Sequence, residues 1–173
     1  RTAAEVWRRL MSDAPVSRIR ATVRAGRADM RAGLLAWLPD DLSGRRILDA
    51  GCGVGDFAFA AAERGAEVVA VDISNSLLAH GRQKLAAWSG PGRVEFHEGD
   101  MCAQDLGRFD HVVAMDSLIH YRTDDKIAAL RRLAALTDRS LLFTFAPRTP
   151  LLAMMHVVGR LFPRGDRAPA IEP

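Results

Sequence analysis

Apolar residues recur along this chain in two rhythms, and their alternation predicts a fold. Ala3, Val6, Trp7 and Leu10 lie at helical spacing, and Pro15 then interrupts the pattern. After Ser17, read as an N-cap, Ile19, Val23, Met30, Leu34 and Leu38 form one helical stripe. Arg20, Arg24, Arg27 and Arg31 form a second at the same period, so a packing face is expected beside a basic one. Pro39 ends this helix, and 40–44 turn into a first strand at 46–50.

From there strand and helix patterns alternate. A helix over 55–64 closes at Gly65, and a strand follows at 67–72. Ser74 is expected to cap a helix reaching Trp88 with Leu77, Leu78 and Leu85 inward. A strand at 93–98 alternates Val94 and Phe96 with polar residues, and another is expected at 109–115. Thr123 caps a helix carrying Ile127, Leu130 and Leu133, and a strand covers 141–145. Thr149-Pro150 opens a last helix over 151–162, apolar almost all round, before an irregular stretch with Pro163, Pro169 and Pro173. Such alternation is the signature of βαβ units. The expectation is an α/β fold with a mostly parallel, doubly wound sheet. Its parts are an N-terminal helical arm over 1–39, a core over 40–147, and a helix with an irregular tail over 148–173.

Composition narrows the class. A chain of 173 residues, 49% hydrophobic and 26% charged, has the makeup of one ordinary globular domain. It starts at Arg1 rather than Met, which reads as a trimmed sequence. Neither a long uncharged apolar run nor the order of a signal peptide is present, so a cytoplasmic protein without a transmembrane segment is expected. Cys52 and Cys102 follow different strands and are expected to be free thiols. The net charge of +3 hides an asymmetry: residues 1–46 carry +5, 47–146 carry −4 and 147–173 carry +2. With a single tyrosine and no concentrated basic run, nucleic acid is a poor partner, and a small anionic substrate fits better.

The segment Ile47-Leu48-Asp49-Ala50-Gly51-Cys52-Gly53-Val54-Gly55 is a glycine-rich turn between strand and helix, where backbone can approach a ligand closely. Asp72 closes the second strand 21 residues after Gly51, where a carboxylate can accept ribose hydroxyls. The dinucleotide fingerprint needs glycine at the position of Asp56, whose charge would repel a pyrophosphate, so NAD is disfavoured. What remains resembles the D-x-G-x-G motif of class I methyltransferases, a Rossmann-like fold that uses S-adenosylmethionine and releases S-adenosylhomocysteine (SAH). The resemblance implies that Asp49 orients the amino-acid end of that cofactor while Gly51, Cys52 and Gly53 line it. Asp72 and Ile73 would then meet the sugar side. Glu98-Gly99-Asp100-Met101 is similar to the family's adenine site, and Asp116 falls where the methionine moiety and substrate approach. No metal site is expected. Taken singly, each acid also reads as a helix cap or loop residue, and each glycine as turn geometry.

Three further stretches carry a narrower resemblance: 16–27, Asp116-Ser117-Leu118-Ile119-His120-Tyr121, and Gly159-Arg160-Leu161-Phe162-Pro163-Arg164. Over nearly the whole chain the sequence resembles the magnesium-protoporphyrin IX O-methyltransferase family of bacteriochlorophyll synthesis in purple bacteria. That resemblance implies methylation of one propionate of the magnesium porphyrin, with His120 at the position of a suspected catalytic histidine. It also implies contact with the porphyrin subunit of magnesium chelatase and a place at the periphery of a photosynthetic membrane. The family's N-terminal tyrosine would fall in or before the first helix, where Trp7 and Met11 stand, so that role either fails here or belongs to residues trimmed away, and the family's last two strands have no counterpart after 162 in this sequence.

A propionate, with a pKa near the ordinary glutamate value of about 4.3, is already the nucleophile at neutral pH. His120 is therefore expected to position substrate rather than remove a proton. Arg20, Arg24 or Arg148 would pair a second propionate. Leu151, Leu152, Met154, Met155 and Val158 would supply an apolar wall, and they read equally as a core-packing helix. Two other functions stay open: methyl transfer to a quinone precursor or another small acid, and a regulator that binds the cofactor without catalysis.

Overall fold

Strands buried on both faces lose the alternation that marks a half-exposed strand, and two such runs form the centre of this protein. The computed structural model describes residues 13–102 and 106–145. The chain divides after Pro39 into two units.

In the first unit, α1 (Asp13–Ala36) runs unbroken. Pro15 does not interrupt it, because the first turn of a helix has no intrahelical acceptor for the N–H that proline lacks. Ser17 consequently lies inside the helix and is not its cap. Met30, expected on the packing stripe, is exposed, and so are Arg24 and Trp37. The predicted helix at 3–11 lies outside the described residues.

The second unit is built on β1 (Arg46–Ala50), β2 (Glu67–Asp72), β3 (Arg93–Glu98), β4 (Phe109–Ala114) and β5 (Thr137–Phe143). Three helices join them: α2 (Asp56–Ala62), α3 (Asn75–Ala86) and α4 (Thr123–Ala135). Among the described residues the sheet has the order β3-β2-β1-β4-β5, and every neighbouring pair is parallel. From β1 the chain winds outward to β2 and β3, then returns to lay β4 on the other side of β1. That reversal opens a crevice at the carboxyl ends of β1 and β4, where open α/β sheets bind ligands.

Burial follows position in the sheet. Ile47, Leu48, Asp49 and Ala50 of β1 and Val68 to Val71 of β2 are all buried, while β3 buries only Val94 and Phe96 and exposes Arg93 before them and Glu95 between them. Phe57, Ala58 and Ala61 of α2, Leu78 of α3 and Leu133 of α4 cover the sheet. No helix among the described residues is long and apolar enough to cross a membrane.

Four expectations change. The strand read as 141–145 begins four residues earlier, at Thr137. Thr137-Asp138-Arg139-Ser140 carries no hydrophobic signal, but its side chains are held by neighbours. Arg108 Nε donates to Asp138 at 2.7 Å, Arg139 Nε donates to Asp110 at 2.9 Å, and Ser140 Oγ lies 2.7 Å from His111 Nδ1. Leu77 and Ile127 face outward, at 40% and 45% exposure, because the packing stripes centre on Leu78 and on Ala129 with Leu133. Ser74 stands at the N-cap of α3 but makes no capping bond, and its hydroxyl lies 3.1 Å from that of Ser76 instead. Thr123 is the first residue of α4, and Arg122 holds the cap position.

Candidate functional site

The site is assembled from loops that a parallel sheet necessarily returns to one edge. After β1 the chain turns through Gly51 at φ 80° and Gly53 at φ 56°. The N–H groups of Gly51 and Cys52 both donate to Val71 O, at 2.8 and 3.0 Å, which fastens this loop to β2. Gly51 is held closest: a Cβ there would fall 2.3 Å from Ser117 Cβ of the loop after β4. Both its backbone conformation and its neighbour therefore require glycine. At Gly53 a Cβ would meet only Leu77, at 4.0 Å, leaving open space above the backbone.

Asp72 ties the two loops together. Its Oδ2 accepts from Gly53 N at 2.8 Å and its Oδ1 from Ser74 N at 2.8 Å. Each carboxylate oxygen has a second lone pair, so two amides leave acceptor capacity for hydroxyl donors. Ile73, the next residue, is 78% exposed, an apolar surface beside that carboxylate.

Beneath the loop, Asp49 is 1% exposed and its Oδ2 has no hydrogen-bond partner. Burial pushes its carboxyl up to about 7, and the charges of Asp72 and Asp56 add to the shift while a bond from the Ala58 amide opposes it. The Cys52 thiol is pushed up as well, first by burial and then by the neighbouring Asp49 and Asp72, which disfavours a reactive thiolate.

At the other loops, exposed Asp100 accepts from Cys102 N at 2.8 Å through Oδ1, a local turn that fixes its carboxylate, and Met101 is buried beside it. After β4, Asp116 stands at φ 57°, and its N–H donates to Thr144 Oγ1 at 2.8 Å. Ser117 follows with a buried hydroxyl that has no partner. The 3₁₀ turn Leu118–His120 then carries the chain toward α4. Next to this turn lies an apolar cleft of about 100 Å³ lined by Leu118, Ile119, Leu130, Phe143 and Phe145, with Lys126 and Thr144.

The structure thus brings Asp49, Gly51, Cys52, Gly53, Asp72, Ile73, Asp100, Met101 and Asp116 to the carboxyl edge of one sheet, at the ends of β1 to β4. His120 ends the 3₁₀ turn at the same edge. Arg20 and Arg24 belong to α1, in the first unit, and Arg148, Met154 and Met155 lie outside the described residues. Ser117 and Thr144 were not anticipated. Ser117 is adjacent to a predicted acid, but the contact of Thr144 depends on the register of β5, which no local pattern reveals.

The polar groups suit an adenosyl ligand with an amino-acid tail. Asp72 retains acceptor capacity, Ile73 offers an uncovered apolar face, and the buried Asp49 Oδ2 and Ser117 Oγ lack partners in the crevice wall. Buried polar atoms are seldom left unpaired, and the orphaned atoms of Asp49 and Ser117 suit a polar ligand at these loops, whereas a third, His111 Nε2, lies within β4.

Comparison with known proteins agrees with this geometry. Residues 47–139 match the model of the methyltransferase domain family, and 114–173 match that of the magnesium-protoporphyrin IX methyltransferase C-terminus. The chain is 48% identical over its whole length to magnesium-protoporphyrin O-methyltransferase of Rhodobacter capsulatus and spans 77% of that protein. It is 35% identical over 94% of its length to the Synechocystis enzyme of the same name, spanning 71% of it. The crystal structure of magnesium protoporphyrin IX methyltransferase from Synechocystis with bound SAH superposes with a TM-score of 0.69 at 34% identity. That match covers 85% of this chain and 66% of the solved one. A ubiquinone biosynthesis O-methyltransferase of Xanthomonas oryzae is 35% identical over 72% of this chain and 55% of its own length.

Proposed function

Because the chain belongs to the magnesium-protoporphyrin O-methyltransferase family, we propose that it transfers a methyl group from S-adenosylmethionine to a propionate carboxylate of magnesium protoporphyrin IX, giving the monomethyl ester. The observation that carries this reading is the identity of 48% across the full length, which extends through both flanks of the shared methyltransferase core.

In this reading Asp72 accepts the ribose hydroxyls with Ile73 against the nucleoside, and Asp100 and Met101 receive the adenine. Gly51, Cys52 and Gly53 present backbone to the ligand, while Asp49 and Asp116 orient the amino-acid end. When bound, S-adenosylmethionine supplies an electrophilic methyl on a sulfonium. The chain's own work is placement: bringing a propionate oxygen within about 3–3.5 Å of that methyl and keeping water away, an effect worth roughly 7–11 kcal/mol in ideal cases. No strong base is required, since the carboxylate is ionised at neutral pH. His120 hydrogen-bonds the propionate and holds it in line, and Arg20, Arg24 or Arg148 pairs the second propionate. Met154 and Met155 face the macrocycle. Contact with the porphyrin-binding subunit of magnesium chelatase, and a position at the surface of a photosynthetic membrane, are part of the proposal on the strength of family membership.

A second substrate class has one observation in its favour, the likeness to the Xanthomonas ubiquinone enzyme. It covers 72% of the chain against 100% for the Rhodobacter relative. Product analysis separates the two. Incubation of the full-length protein with labelled S-adenosylmethionine and magnesium protoporphyrin should yield a labelled monomethyl ester; label appearing only on a phenolic quinone precursor would replace the porphyrin reading. For His120→Gln, a positioning role predicts slower transfer with no change in the shape of the pH profile. Loss of a limb near pH 6.5 would instead assign acid–base chemistry to the imidazole.

A further inference from the structure

Among the described residues Asp116 is the one non-glycine residue at positive φ, 57°. Aspartate tolerates the left-handed region better than most residues, yet such an outlier persists only where its surroundings hold it. Two neighbours do so here. On the β5 side, Thr144 follows the last strand residue, and its N–H donates to Ala114 O at 3.2 Å in the final rung between β4 and β5. That rung presents the Thr144 hydroxyl to the Asp116 N–H, which donates to it at 2.8 Å in a half-buried position. On the β1 side, Ser117 is pressed against Gly51, where not even a methyl group would fit. A relaxation of Asp116 toward negative φ would swing Ser117, and Gly51 leaves little room for that.

We propose that Thr144 is a positioning residue for the cofactor crevice: its hydroxyl holds Asp116 in the left-handed conformation and so aims the turn that walls the crevice on the β4 side. The proposal rests on the assignment of Asp116 to the amino-acid end of the cofactor. The alternative is that Thr144 merely finishes the edge of the sheet. In that case its hydroxyl is dispensable, because the backbone rung to Ala114 does not involve it.

The hydroxyl is isolated by two substitutions in the full chain. Thr144→Val keeps the shape and removes the acceptor, leaving the Asp116 N–H without its partner; Thr144→Ser keeps the acceptor. Amide hydrogen exchange at Asp116 should be protected in the wild type and in Thr144→Ser and lost in Thr144→Val. Affinity for SAH should fall about tenfold in Thr144→Val and stay within about twofold in Thr144→Ser. A Thr144→Val protein with unchanged Asp116 exchange would overturn the proposal, as would a Thr144→Ser protein that loses affinity equally. Lost protection with undiminished affinity would leave the brace in place and refute the assignment of Asp116 to the cofactor. If Thr144→Val does not fold, Asp116→Gly in a Thr144→Val background supplies the second test. Glycine adopts the left-handed conformation without help, so the double variant should refold and bind SAH no more weakly than Asp116→Gly alone. A further drop would show that Thr144 acts elsewhere.

Discussion

The two walls of the crevice are made differently. On the β1–β2 side the surface is mostly main chain: glycines at positive φ, amides fastened to Val71, and an Asp72 carboxylate clamped by two N–H groups. On the β4–β5 side it is side chains, with a threonine hydroxyl holding one strained residue and an apolar cleft edged by Phe143 and Phe145, the latter 72% exposed. A wall of backbone is fixed by chain geometry and tolerates little change. A wall of side chains can be altered residue by residue.

The contrast predicts a graded series. Gly51→Ala attacks the rigid wall where it meets the other, at positive φ and 2.3 Å from Ser117 Cβ. Adding the left-handed penalty to overpacking gives a loss of about 2–5 kcal/mol, measurable by denaturant unfolding, with SAH binding abolished. Gly53→Ala, with open space around its Cβ, should lose only about 1–2 kcal/mol. Equal losses at the two glycines would dissolve the distinction.

Asp49 comes next, through pH. A carboxyl held at about 7 in the folded state is neutral in both states below about pH 4. As pH rises from 4 to 7, the unfolded chain releases its proton while the folded protein retains it, so this group progressively destabilises the fold. Asp49→Asn should therefore gain stability relative to wild type over that window, by about 4 kcal/mol for a rise of roughly three units at about 1.4 kcal/mol each, and the difference should level off above pH 7. A difference that is flat with pH would contradict the burial of an uncompensated acid.

Asp72→Asn keeps the shape but loses the charge and presents an NH₂ to one of two amide donors. With each charge-assisted bond worth about 1.5–3 kcal/mol, SAH affinity should fall about a hundredfold by calorimetry. At the bottom of the scale, Phe145→Ser on the exposed edge should change folding stability by no more than about 0.5 kcal/mol and leave SAH affinity intact. An effect on SAH binding there would mean that the two walls are not separable.

How much of this was legible in the chain follows the same division. Asp49, Asp72, Asp100 and Asp116 were readable because parallel strands return every following loop to one edge, so strand ends found from local pattern already share a site. The start of β5 was not, since Thr137 to Ser140 are polar and their partners, Arg108, Asp110 and His111, are distant in sequence or on another strand. Leu77 and Ile127 were assigned inward because helical period fixes a stripe's spacing but not its centre. The link from Asp116 to Thr144 requires the β4–β5 register, which is a property of the folded sheet alone.

The central claim is that the crevice between β1 and β4 receives the adenosyl cofactor in one orientation. A crystal structure of the full-length protein grown with SAH tests it directly. The account predicts density across the carboxyl ends of β1 to β4, with the sugar on Asp72, the base at Asp100 and the amino-acid tail toward Asp49 and Asp116; a ligand running the opposite way, or bound at another edge, would contradict it.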